Sequence, residues 1–142
     1  MQTRHVIGVA ALGGILSLSG TGCSTPEPAL GGTTATVTID GSETGGARPI
    51  RCYQSGWTWY IETPQKENGF TAVLETGDDV SPKSVDLRGV GDFTGSYWAN
   101  HIGNAEVTGD DGKFTISGSA AGNFDQDPMT AVTANFRIEA DC

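Results

Sequence analysis

From residue 35 onward apolar and polar residues alternate with a period of two, and that alternation constrains the fold more than any other feature. Val37 and Ile39 point one way while Thr36, Thr38 and Asp40 point the other, the signature of a half-buried strand. The pattern recurs with Trp57, Trp59 and Ile61, with Phe70, Ala72 and Leu74, and with Val85 and Leu87. It returns with Ala105 and Val107, with Phe114 and Ile116, and with Phe136, Ile138 and Ala140. Between the runs stand turn signals: Asp40-Gly41, Gly45-Gly46, Asn68-Gly69, Gly77-Asp78, Gly91-Asp92 and Asp111-Gly112. Asp111-Gly112 is the sharpest, because it joins two alternating runs as a type I′ hairpin requires. A helical period with caps is absent, and Ala120 to Ala134 is the only stretch where a helical turn fits. The expectation is an all-β fold: a single antiparallel β-sandwich or open barrel of seven to eight short strands.

What precedes the strands reads as an address. Arg4 gives a short positive start, an uncharged stretch follows from Val6 to Gly22, and Cys23 comes next. This is the layout of an export signal; at 17 residues, rich in Gly and Ser, it is short for a membrane span. The arrangement resembles the bacterial lipoprotein signal, in which the chain is cut before the cysteine and the sulfur is acylated. Gly20 stands where that signal usually has Leu. The reading divides the chain into a removed signal peptide (1–22), a lipidated Cys23 with a flexible spacer (23–35), and a β domain (36–142). The spacer owes its flexibility to the Pro, Gly and hydroxyl residues of STPEPALGGTT. About 120 residues after cleavage make one ordinary domain.

Charge narrows the partners. The formal net charge is −9, and loss of Arg4 takes it to −10. The eight Lys and Arg are scattered singly along the chain. Nucleic acid and anionic lipid are therefore disfavoured as partners.

Three cysteines bear on chemistry. With Cys23 acylated, Cys52 and Cys142 remain as an even pair, which in an exported protein is usually oxidised. That bridge closes a loop of about ninety residues, worth nominally ~4 to 5 kcal/mol on the chain-entropy model. The alternative is two unrelated buried thiols. No second Cys or His sits at zinc-ligand spacing.

No catalytic residue is assigned. His101 is the only histidine after the signal, no G-x-S-x-G occurs, and His101 reads as structural or exposed. The glycines at 89, 91 and 95 miss the dinucleotide spacing and read as turn residues. The acidic pairs Asp78-Asp79, Asp110-Asp111 and Asp125/Asp127 offer too few ligands from one loop for calcium, so neither a metal nor a cofactor is expected. The aromatic residues are the candidate ligand-binding group. Trp57 and Trp59 fall on one face of an expected strand, and Tyr97-Trp98 form a second cluster whose adjacent rings must point to opposite sides. Core packing and an apolar or sugar-stacking groove both use such rings.

Several stretches together carry a family resemblance: VTIDG (37–41), FTAVL (70–74), PKSVDL (82–87), GNAEVT (103–108), GKFTISGSAAG (112–122) and NFRIEADC (135–142). With both domain cysteines in place and Cys23 ahead, the chain resembles the mycobacterial nineteen-kilodalton lipoprotein antigen family (LpqH-like) over about three-quarters of its length. The resemblance implies an acylated cell-envelope protein, often glycosylated in its spacer. It also implies recognition by host innate receptors through the lipid, and no enzymatic activity. The short spacer and the aromatic run CYQSGWTWY (52–60) depart from the family. The leading expectation is a surface lipoprotein on the outer face of the cell membrane, displaying a non-catalytic β domain for adhesion, envelope organisation or host interaction. The alternative is a periplasmic carrier of lipid or envelope glycolipid that uses an aromatic groove; an exported hydrolase is the third and weakest.

Overall fold

The computed structural model describes residues 33–142, and Cys23 lies outside them. The described residues form eleven strands and no helix: β1 (Thr34–Ile39), β2 (Ser42–Glu43), β3 (Arg48–Pro49), β4 (Arg51–Ser55), β5 (Thr58–Glu62), β6 (Gly69–Thr76), β7 (Val80–Val90), β8 (Phe93–Trp98), β9 (Asn104–Asp110), β10 (Lys113–Phe124) and β11 (Asp127–Asp141). Neighbours pair antiparallel in the order β2-β1-β11-β10-β8-β7-β6-β5-β4, with β3 also on β1 and β9 also on β10. The all-β expectation holds. The strand number is higher because β2 and β3 are only two residues long, and because β4 and β8 lack a full apolar alternation. β4 buries no side chain fully, and β8 places Gly95 between its inward Phe93 and Tyr97.

One sheet makes both walls of the core. Inward residues align in cross-strand rows, Val37–Ile138–Ile116–Val107 on β1, β11, β10 and β9, and Ile61–Ala72–Val85–Tyr97 on β5 to β8. The two sets face each other: the rings of Trp59 on β5 and Phe114 on β10 lie 5.5 Å apart although three strands separate them in the sheet. β3 and β4 link the walls, with buried Ile50 at the crossing. Burying these rows is the main favourable term.

The long β10 changes partner on one edge. It pairs with β9 through Ser119 and with β8 from Ala121. At Gly118 an added Cβ would lie 2.0 Å from the Asn104 carbonyl oxygen, and at Gly122 1.9 Å from that of Thr94. Both glycines are therefore required by close backbone approach, where the sheet splits into its two walls.

Two local expectations are corrected. Ala120 to Ala134 contains no helical turn; it is the end of β10, the Asp125–Gln126 turn and the start of β11, with Ala120 opposite Ala134 in the ladder. The residues on either side of the turn continue the β10–β11 ladder from Ala120–Ala134 to Phe124–Asp127, and those from Asp125 to Ala131 are exposed, so no apolar face is there to hold a helix. Trp57 does not share a strand face with Trp59. It sits in the turn after Gly56, whose φ is +59°, and Thr76 donates to its carbonyl through both backbone N–H and hydroxyl. The turn pairs behave as their residues require: Asp40-Gly41, Gly91-Asp92 and Asp111-Gly112 all have positive φ at both positions.

Candidate functional site

The cysteine pair is bridged. Cys52 on β4 and Cys142 at the end of the chain form a disulfide with Cα atoms 5.8 Å apart, within the usual span. The bond ties the last strand of the sheet path to the opposite wall. Close to it the spacer joins the domain: the Ile50 amide donates to the Thr33 carbonyl at 3.0 Å, one residue before β4.

The four aromatic residues do not line one groove. Trp59 is half-buried against the core, and Tyr97 is buried with its hydroxyl donating to the Pro82 carbonyl at 3.2 Å. Trp57 and Trp98 face outward, 72% and 53% exposed. Alternation along β8 separates Tyr97 from Trp98, and the turn geometry at Gly56 separates Trp57 from Trp59.

A different aromatic arrangement exists on the outer face. Cross-strand register places Tyr53, Tyr60, Val73, Ser84 and Trp98 in one row across β4 to β8. Tyr53 and Tyr60 stack with centroids 4.9 Å apart and planes 11° from parallel. Beside this row runs a polar one, Arg51–Glu62–Thr71–Asp86–Ser96. In it Arg51 bonds Glu62 at 2.7 Å and Ser96 donates to Asp86 at 2.6 Å. Sequence spacing gives no hint of this row, because its members come from five strands whose register only the sheet sets.

The sequence motifs that suggested chemistry stay apart. His101 is exposed in the β8–β9 turn, its amide bonded to the Trp98 carbonyl. Among the described residues no three His, Cys, Asp or Glu side chains gather as a metal set would. Gly89 has positive φ within β7, at the register shift between Leu87 and Val90, Gly91 has it in the β7–β8 turn, and Gly95 packs under Phe93.

One ionisable side chain stands out. Arg48 is half-buried, and burial lowers its affinity for its proton relative to a free guanidinium. Its partners are the Asn68 carbonyl at 3.0 Å, the Thr44 hydroxyl at 3.1 Å and the Thr44 carbonyl; none is a carboxylate. Its Nε is buried with no acceptor among the described residues.

Comparison with known proteins gives this architecture its kin. The profile of the family described as "Mycobacterium 19 kDa lipoprotein antigen" matches residues 28–142, the whole of the described domain. The chain belongs to that family. Among the relatives of this 19 kDa antigen family member is "Probable lipoprotein LppE" of Mycobacterium tuberculosis. It is 37% identical over 109 residues, which are 76% of this chain and 77% of the relative. "Lipoprotein LpqH" of the same organism is 32% identical over 107 residues, 75% of this chain and 67% of that one.

Proposed function

We propose that the chain works as a cell-envelope lipoprotein: residues 1–22 are removed, Cys23 is acylated, and the β domain is displayed on the outer face of the membrane. The observation that carries this reading is a cysteine at the end of an apolar, uncharged stretch, ten residues ahead of Thr33, in a chain whose relatives bear lipoprotein names. Residues 23–33 serve as the tether, since Thr34 and Ala35 already belong to β1, and the domain that follows does no chemistry. Its work is adhesion, envelope organisation or presentation to a host receptor. The outward row of Tyr53, Tyr60 and Trp98 supports a role in contact, since aromatic side chains bring much contact area at low entropy cost.

Anchoring has a physical scale. Each buried methylene contributes ~0.8 kcal/mol, so one acyl chain binds marginally and two or three hold durably. Intact-mass analysis of the protein extracted from its native membrane tests the reading. The expected mass is that of a chain starting at Cys23, plus fatty acyl groups, minus two hydrogens for the bridge. A different N-terminus, or no fatty acid, would overturn it. In the same cells the C23A form is expected in the medium or retained with its leader.

A further inference from the structure

The eight Lys and Arg are scattered in sequence, yet the fold sorts them. Seven lie among the described residues, and four of these are paired with carboxylates: Arg51 with Glu62, Lys83 with Glu75, Lys113 with Asp141 and Arg137 with Glu139. The other three, Arg48, Lys66 and Arg88, have no carboxylate within 4.0 Å among the described residues, and all three converge on the β5–β6 loop. Arg48 donates to the carbonyl of Asn68 from one side, and Arg88 donates to the carbonyl of Lys66 from the other.

The loop between these guanidinium groups is a built feature. The buried Thr63 hydroxyl donates to the Gln65 carbonyl at 3.1 Å and accepts from the Phe70 amide at 3.0 Å. Asn68, at φ +54°, packs its side chain against Gly89 near the end of β7. Two clefts open on either side. One of about 310 Å³ is walled by Arg48, Asn68 and the glycines 45, 89 and 91; the other, about 350 Å³, by Lys66, Thr71, Arg88 and the ion pair of Arg51 with Glu62. Thr63 and Gln65 belong to both.

Donors remain unspent there. A guanidinium carries five N–H groups and no acceptor. The Arg48 Nε is buried and out of a ligand's reach, but its Nη1 bonds only the Asn68 carbonyl among the described residues and keeps a second N–H. Arg88 uses Nε on Lys66 and Nη1 on Thr71 at 3.2 Å, and its Nη2 finds no acceptor among the described residues. A planar guanidinium with free N–H groups and no counter-ion matches the tetrahedral oxygens of a phosphate. The carboxylates in reach are few. Glu62 is engaged by Arg51, Asp86 by Ser96, and Glu67 on the same loop makes no ion pair.

The location identifies the source of the phosphate. The spacer enters the fold at Thr33, whose carbonyl is bonded by Ile50, between Arg48 and Arg51. Ten residues separate Thr33 from Cys23, so the two are never more than roughly 35 Å apart. A tether attached at this end keeps it close to the bilayer surface. We infer that the paired clefts around Arg48, Lys66 and Arg88 bind the headgroup phosphate of an anionic phospholipid in the membrane that carries the protein. This rests on the anchored reading above for the source of the lipid, and on the cation geometry alone for the phosphate. The molecule is acidic as a whole, so the attraction is local, within about a Debye length of 8 to 10 Å, and the rest of its surface is repelled. That combination holds one end of the domain toward the bilayer.

The test uses residues 23–142 carrying C23S, so that no acyl chain contributes. Amide shifts are followed by NMR at low ionic strength during titration with dihexanoyl phosphatidylglycerol, and separately with inorganic phosphate. Sedimentation with phosphatidylcholine vesicles, with and without phosphatidylglycerol, gives membrane binding. Saturable shifts centred on Arg48, Asn68 and Arg88, and co-sedimentation with the anionic vesicles alone, are expected. R48Q/R88Q should weaken both by about tenfold or more, the worth of one charge-assisted hydrogen bond. Because both arginines clamp the loop, K66E serves as the variant that spares those clamps, and it should lose vesicle binding with its circular dichroism unchanged. Shifts elsewhere, or none, would mean that the guanidinium groups act as loop clamps only and would overturn the proposal. Inorganic phosphate binding as tightly as the lipid would overturn the assignment to a headgroup. An unacylated Cys23 in the native protein would defeat the anchored reading while leaving these titrations unchanged, so the two failures are distinguishable.

Discussion

Gly118 and Gly41 are both glycine for reasons that differ, and the difference is measurable. Gly118 is needed for space: its missing side chain would collide with the Asn104 carbonyl and the Ala105 Cα of β9. Gly41 is needed for conformation: φ is +82° and nothing lies within 4 Å of an added Cβ. G118A must push two strands apart, and overpacking of this kind costs about 1–3 kcal/mol. G41A meets only the left-handed backbone penalty, about 1–2 kcal/mol. Urea denaturation of the two variants should show both losses. Only G118A should also move the amide resonances of β9, where the backbone has to yield. The same scale explains the aromatic residues. Whether Trp57 is core or surface is decided by one positive φ at Gly56, which ends the alternation before it reaches that ring.

Among the elements, β4 is the one whose place is least secured by packing. It pairs with β5 alone, and four of its five side chains are exposed. What fixes it to the opposite wall is the Cys52–Cys142 bond, which spans 90 residues of sequence. Removing such a long-loop bridge costs about 2–5 kcal/mol. In C52S/C142S the urea midpoint should fall accordingly, and hydrogen exchange at Arg51–Ser55 should accelerate before that of β6 or β10. Equal acceleration throughout would mean that the bond stabilises only the unfolded-state balance and not β4 itself. β4 and β8 were also the elements least legible in the sequence. An element shows its period only when alternate residues are buried apolar ones. β4 has almost no buried face, and β8 gives Gly95, which packs under Phe93, one of its inward positions.

The molecule as a whole is acidic, and its described residues carry four exposed or half-exposed ion pairs and one end where cations have no carboxylate partner among them. Surface pairs are worth about 0–1 kcal/mol each, whereas a net charge of −9 imposes repulsion over the whole surface. Salt screens both, and the repulsion is the larger effect. Raising sodium chloride from low to moderate concentration should therefore raise the Tm in calorimetry; a fall would show that the pairs outweigh the net charge. The opposite salt response is expected of the vesicle binding proposed above, which weakens as screening grows. One protein should thus become more stable and less membrane-seeking under the same change.

Alternation, the Asp-Gly turns and the even cysteine pair are legible in the sequence because each depends on near neighbours or on simple parity. Val37 with Ile39, or Asp111 with Gly112, carry their instruction within a few residues. The outer ring row of Tyr53, Tyr60 and Trp98, and the gathering of Arg48, Lys66 and Arg88, depend on register between strands and on how one sheet folds over itself. Charges that look solitary along the chain become neighbours only after that folding, because register sums the contributions of every ladder between them. Tertiary structure alone decided where this acidic chain is locally positive.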